Sequence, residues 1–219
     1  MNFFLKGFLF LLLGSFLSVL VFILLNNNIF SKTFVFEGNK QQYQPTNFSL
    51  EDAPVESLRG TIATRSGEIL WQSRVATESS TLVDDIQFQQ GEMVETKKNG
   101  TIEVKFTDAA QVDIFENTKV EIVQTLPVNL VFNQFKGKAQ YKNLGVAPVS
   151  VRSMNLLVNL VEGLMDIDVD DQTGEITVTL DEGQAKVAYN SAEFESQIWD
   201  LETGDIFIYD SNERQGFFE

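Results

Sequence analysis

The sequence predicts an all-β domain, an antiparallel β-sandwich or roll of about a dozen short strands, preceded by one N-terminal transmembrane helix. Three observations carry this. Short runs alternate apolar and polar residues from Leu58 onward, turn dipeptides separate those runs, and an uncharged apolar stretch occupies positions 7–25.

Residues 1–6 hold a single base, Lys6, and are expected on the cytoplasmic side. The stretch 7–25, GFLFLLLGSFLSVLVFILL, has no charge over 19 residues. As a helix it reaches about 28 Å, close to the hydrocarbon thickness of a bilayer. Its two serines and two glycines are tolerated in a membrane helix, where a Ser hydroxyl bonds back to its own backbone. A cleaved signal peptide would carry a shorter apolar core ending in a small-x-small site, whereas this run ends Leu24, Leu25, Asn26, Asn27, Asn28. A retained anchor follows, with the N-terminus cytoplasmic and the remainder periplasmic or extracellular.

Residues 26–56 contain NNN, KQQYQPTN and EDAPVE, with two of the four prolines and no sustained periodicity, and are expected to be a polar linker. The β domain is placed at 57–210 and a C-terminal tail at 211–219. Within the domain, Thr101 to Phe106 puts Ile102, Val104 and Phe106 on one face, and positions 111–115 and 119–123 continue the rhythm. Ser66-Gly67, Asn99-Gly100, Lys136-Gly137, Thr173-Gly174 and Glu182-Gly183 are each expected to be turns, Asn99-Gly100 as a type I′ hairpin. Trp71 and Trp199 are expected in the core.

The net charge is −15, from 31 acids against 16 bases, with no acid before Glu37. Such a surface repels phosphate backbones and anionic headgroups, so no nucleic acid partner is expected. There is no Cys and no His. Disulfides, thiol chemistry, lipidation at cysteine and imidazole-dependent catalysis are therefore excluded. No catalytic, cofactor-binding or metal-binding residue is assigned, and no cofactor is expected.

Two acidic groupings have residue types that could carry chemistry. The run Asp166-Ile167-Asp168-Val169-Asp170-Asp171 invites a calcium-loop reading, but Asp171 stands where the loop needs Gly and Thr177 where it needs a bidentate Glu. Strand alternation, with Ile167 and Val169 inward, the aspartates outward and a turn at 172–174, explains it more simply. Asp108, Asp113, Glu116 and Glu121 could supply paired carboxylates for glycoside hydrolysis, but their spacing fits exposed strand faces and turn ends.

The stretch 58–209 resembles the FecR domain, the extracytoplasmic module of bacterial iron-dicitrate-type signalling regulators. The resemblance rests on Gly60 and Ile62 in an opening strand, and on QGEMVETKKNGTIEVKFTDAAQVDIFENTKVEI, where Gly91, Thr96, Val104, Phe106, Asp108, Val112 and Ile114 match the family's core pattern. It continues in Phe135 to Ala139, in VSVRSMNLLVNLVEGLMDIDVD with Gly163, in ITVTLDEGQAKV with Gly183 and Val187, and in LETGDIFIY with Gly204. Leu164 replaces the family's usual Thr, and Ala109 its usual Gly after Asp108. The resemblance implies a non-enzymatic sensing or protein-interaction module with an envelope or membrane protein as partner. Regulators of this family carry a long cytoplasmic anti-sigma segment before the helix, whereas only residues 1–6 precede it here. Self-association into a structural envelope component is the alternative.

Overall fold

The computed structural model describes Ala53 and residues 56–219. The predicted span at 7–25 and most of the 26–56 linker lie outside the described residues. Among the described residues every regular element is a strand, and no helix is long and apolar enough to cross a membrane.

The fifteen strands are β1 (Gly60–Ser66), β2 (Ile69–Gln72), β3 (Ser80–Thr81), β4 (Gln87–Phe88), β5 (Glu92–Thr96), β6 (Thr101–Phe106), β7 (Ala110–Ile114), β8 (Lys119–Leu126), β9 (Asn129–Asn143), β10 (Val149–Ser153), β11 (Leu156–Val169), β12 (Glu175–Asn190), β13 (Ser196–Glu202), β14 (Ile206–Asp210) and β15 (Gln215–Phe218). The residues placed in a C-terminal tail thus form β15, an antiparallel partner of β14. The sequence IFIYDSNERQGFF is a hairpin, with Asp210 Oδ1 accepting the Asn212 and Glu213 amides across its turn.

Three strands are far longer than the rest, and they organise the molecule. The second half of β9 pairs with β7 and β11, while its first half pairs with β8 and, in parallel, with β10. The long strands β11 and β12 divide their partners in the same way. All fifteen strands are hydrogen-bonded into one continuous sheet that folds on itself into two layers: the first sheet layer runs β4-β1-β6-β7-β9-β11-β12-β14-β15 and the second β3-β2-β5-β8-β9-β10-β11-β12-β13, with β9, β11 and β12 passing through both. The sheets face each other: Phe106 of the first meets Phe132 of the second at 5.5 Å, and Tyr189 of the second meets Tyr209 of the first at 4.9 Å. The described residues are thus all-β, as expected from sequence, with two facing layers that share three strands, while the parallel β9–β10 pair departs from the purely antiparallel expectation.

Each long strand bends at a glycine, and the bends share one grammar. Gln134, Leu160 and Leu180 are the last inward residues of their half-strands, glycine follows three positions later at 137, 163 and 183, and Ala139, Met165 and Ala185 resume the core five positions on. The inward positions switch between even and odd numbers at each bend, because a bulge inserts an unpaired residue and re-aims the strand. The three glycines sit at φ 76°, 98° and 96°. Lys136-Gly137 and Glu182-Gly183 are thus bends within strands, not the turns expected from sequence. Both devices place a left-handed glycine between alternating runs, so the dipeptides alone do not separate them.

Asn99-Gly100 also departs from expectation. It joins β5 of one sheet to β6 of the other, and Asn99 alone is left-handed at φ 65°, with the Gly100 amide donating to Lys97 O at 2.8 Å. A type I′ hairpin would need two left-handed residues and two paired strands. The β1–β2 crossing at Gly67 runs alongside it, tied by Lys97 N–H to Glu68 O at 3.0 Å.

Backbone groups freed at the bends are capped by side chains, three of them buried and the fourth, Thr203, exposed. Gln134 donates through Nε2 to Gly137 O at 2.6 Å and Ile167 O at 3.0 Å, and accepts the Tyr141 hydroxyl at 3.0 Å. Thr118 Oγ1 accepts Lys138 N–H at 2.9 Å, Asn143 Nδ2 donates to Val161 O at 2.7 Å, and Thr203 Oγ1 accepts Gly183 N–H at 3.0 Å. Bends in a core are permissible only with such partners. The space between Phe106, Phe132, Val112 and their neighbours is about 10 Å³ and lined only by apolar side chains, which offer a water no partner.

Candidate interaction surface

The outer face of the first sheet carries a cross-strand polar row: Glu103 on β6 opposite Asp113 on β7, then Gln140 on β9 and Asp166 on β11. Lys105 pairs with Glu103 at 2.9 Å, and Lys138 with Asp166 at 2.6 Å. Gln140 Nε2 donates to the other Asp166 oxygen at 2.7 Å. Partial burial holds the Asp113 carboxyl above its ordinary value, reinforced by the like charge of Glu103, while the Asp166 hydrogen bond raises the Lys138 ammonium. These ladders satisfy one another and leave no inward-facing cleft.

The four carboxylates weighed for glycoside hydrolysis are dispersed. Asp108 lies in the β6–β7 turn, Asp113 on the outer face of the first sheet, and Glu121 on the outer face of the second, where it accepts from Asn133 Nδ2 at 3.3 Å. Glu116 sits beyond β7 and accepts the Asn99 amide at 3.1 Å. They do not flank a common bond.

The aspartate run follows the strand alternation. Ile167 and Val169 are buried, Asp168 and Asp171 are exposed, and Asp170 closes the hairpin by accepting the Gln172 and Thr173 amides, which hold its carboxyl below the ordinary value. Beside it an open depression of about 470 Å³ is lined by Lys136, Asp168, Asp170, Asp171 and Glu175. It has the volume of a ligand site without the apolar walls of one.

Among the described residues Glu92 is the charged residue most deeply placed, at 4% exposure on the inward face of β5. Its Oε2 accepts the Gln89 amide at 2.9 Å. Burial raises its pKa above 4.5 despite that bond and the charges of Arg59 and Arg74. A carboxyl raised on folding favours the native state when protonated, so this group's contribution is lost as pH rises from 4.5 through the folded value. Glu92→Gln, which keeps an acceptor for Gln89, is therefore expected to raise the melting temperature at pH 7 and to match the parent below pH 4.5. Melting curves across that range check it, and a destabilised variant at pH 7 would refute it.

The two sides of the sandwich differ in how they end. On one side the sheet layers end in the two-residue strands β3 and β4, and Arg65 of β1 reaches across to Leu82 O at 3.0 Å, Val83 O at 2.9 Å and Asp85 at 3.1 Å. That side is tied together by the arginine. On the other side β13 ends the second sheet, β15 ends the first, and no further strand covers either among the described residues.

This open side is aromatic. Trp199 of β13 meets Phe218 of β15 at 5.8 Å, and Phe218 meets Phe207 at 5.4 Å, so the rings bridge the gap between the sheets. Trp199 and Phe218 are each 40% exposed, Ile198 is 67% exposed, and Phe217 and Phe194 are also exposed. Trp71 packs against the core as expected, but Trp199 does not belong to it. Phe194 and Arg214 sit on neighbouring turns at φ 63° and 52°, and the guanidinium lies 5.4 Å from the ring centroid. Non-glycine residues in that backbone region cost energy, which the surrounding turn contacts offset. The sequence reading missed this surface. Its signal was Gln-Gly-Phe-Phe following a turn, a short apolar run of strand-forming residues.

No protein-family model and no curated protein matches the chain. Two crystal structures of a "putative anti-sigma factor" from Parabacteroides distasonis ATCC 8503, at 1.65 and 2.50 Å, are similar to it in part. Each has a TM-score of 0.49, with 12% and 13% identity respectively, over 58% of this chain and 58% of theirs. The chain spans little more than half the length of those proteins, and at that similarity no residue-level correspondence is carried over.

Proposed function

We propose that this chain is a membrane-anchored extracytoplasmic module of the signalling-regulator class, whose β domain binds an envelope or membrane protein through the open β13–β15 side. The observation that carries the reading is the asymmetry of the sandwich: one side ends in the two-residue strands β3 and β4, bridged by Arg65, and the other in the longer edges of β13 and β15 with a cluster of half-exposed aromatic rings. The sequence resemblance to FecR domains over 58–209 and the uncharged run at 7–25 support the signalling class and the anchor. The reading assigns no catalysis to the domain.

Photocrosslinking tests this in the native membrane, with a benzophenone residue placed at Ile198 and, as control, at exposed Val146 in the β9–β10 loop. A heterologous membrane or envelope protein captured from position 198 and not from 146 is the expected result. Capture of only the chain itself would overturn the reading in favour of a self-associating structural component.

A further inference from the structure

We infer that the β13 edge accepts an extended segment of the partner as an added strand, and that this segment alternates apolar with basic residues. The inference rests on the reading above and specifies the chemistry of the occupant.

The backbone is available for pairing. β13 pairs with β12 in an unbroken antiparallel register from Gln184↔Glu202 to Asn190↔Ser196. At its end both the N–H and the C=O of Glu202 turn away from β12, the first to Asp205 Oδ2 at 2.8 Å and the second to Asp205 N–H at 3.0 Å. The alternation of an antiparallel ladder then gives Ile198 and Asp200 the same outward orientation. No described residue bonds to their outward groups. An incoming segment of roughly six residues, an ordinary strand length, would find these donors and acceptors in line.

The two faces of such a strand would meet different surroundings. Side chains on the inner face would lie over Trp199 and Phe218, which line the gap between the sheets and call for apolar residues. Those on the outer face would meet Ile198, Asp200 and Glu202, with Glu193 and Glu195 at the strand's start. Residues 193–219 hold eight acids and Arg214 as their sole base. Of those acids only Asp200 is in an ion pair among the described residues, with Lys186. Electrostatic complementarity selects a basic strand and disfavours a second copy of this chain, whose edge carries the same acids.

The test uses the full chain in a phosphatidylcholine nanodisc, with Trp71→Phe leaving Trp199 as the sole indole. Six-residue peptides alternating Lys and Val, or Glu and Val, are titrated against its fluorescence. The Lys–Val peptide should shift the emission to shorter wavelength, bind roughly tenfold or more tighter than Glu–Val, and weaken several-fold as salt rises to about 0.3 M. Ile198→Pro removes an outward N–H while leaving the β12 ladder intact, and should abolish the shift. Equal binding of both peptides, or an unchanged shift in Ile198→Pro, would overturn the inference.

Sequencing the peptides crosslinked from position 198 of the otherwise unaltered chain gives a second readout that does not depend on Trp71→Phe folding. A heterologous protein attached through a basic extended segment supports the inference. One attached through a helix or an acidic segment overturns it and leaves the proposed function standing, whereas capture of the chain alone removes both.

Discussion

Gly163→Ala should destabilise the β domain by roughly 4 kcal/mol or abolish its folding. Gly163 is at φ 98°, directly opposite Gly183 at φ 96°, where β11 and β12 bend together from one sheet into the other. L-residues avoid that backbone region, which by itself costs of order 1–3 kcal/mol. The added Cβ would also stand 2.5 Å from the Glu182 carbonyl carbon and 2.8 Å from Gly183 Cα, which are backbone atoms that no rotamer change can move. Gly204→Ala separates the two causes. Gly204 is at φ 95° but a Cβ there meets nothing within 4 Å, so it should show the backbone cost alone. Denaturant midpoints of the two variants measure the difference, and equal losses would refute the steric argument. The double variant Gly163→Ala with Gly183→Ala should cost less than the two separately, because the residues share one bend.

The bend also shows why part of the fold was legible in sequence and part was not. Strand identity came through cleanly, because Ile102, Val104 and Phe106, or Ile176, Val178 and Leu180, alternate with polar residues wherever one face is buried. The antiparallel hairpin at 170–175 was legible for the same reason, with Asp170 and Gly174 as its turn chemistry. Fifteen strands sharing three long members were not legible, because local alternation says nothing about which sheet a half-strand joins. The information was nonetheless present. In LVFNQFKGKAQY, NLLVNLVEGLMDI and ITVTLDEGQAKV the apolar phase shifts by one position across a glycine. A hairpin turn does not require that shift, but a strand bent between facing sheets with one common core does.

The candidate surface was less legible than the fold. Its members, Phe194, Ile198, Trp199, Phe217 and Phe218, are of the residue types that sequence reasoning assigns to a core, and only the end of the sheet order leaves them without cover. The acidic groupings that drew attention in sequence serve as turn caps and solvated strand faces. A docking surface built from an open strand edge has no motif, because its donors and acceptors are backbone groups that every residue carries.

Gln134→Leu should cost roughly 3 kcal/mol or more although the replacement nearly conserves volume and adds apolar surface. Gln134 is fully buried, and its amide serves three groups at the β9 bend: Gly137 O, Ile167 O and the Tyr141 hydroxyl. The leucine would leave all three facing hydrocarbon, and each buried orphan costs about 1–3 kcal/mol. Tyr141 has no alternative outlet. Burial already pushes its hydroxyl well above the ordinary phenol value, so ionisation offers no relief at any pH the fold would survive. Adding Tyr141→Phe removes one of the three orphans and should recover about 1 kcal/mol of the loss, while Tyr141→Phe alone in the parent should cost a similar amount. That change of sign between the two backgrounds, read from denaturant midpoints, distinguishes a hydrogen-bond network from a packing site. If Tyr141→Phe destabilised both backgrounds equally, the amide at Gln134 would be a filler of space and the bend at Gly137 would be held by β7, β8 and β11 alone.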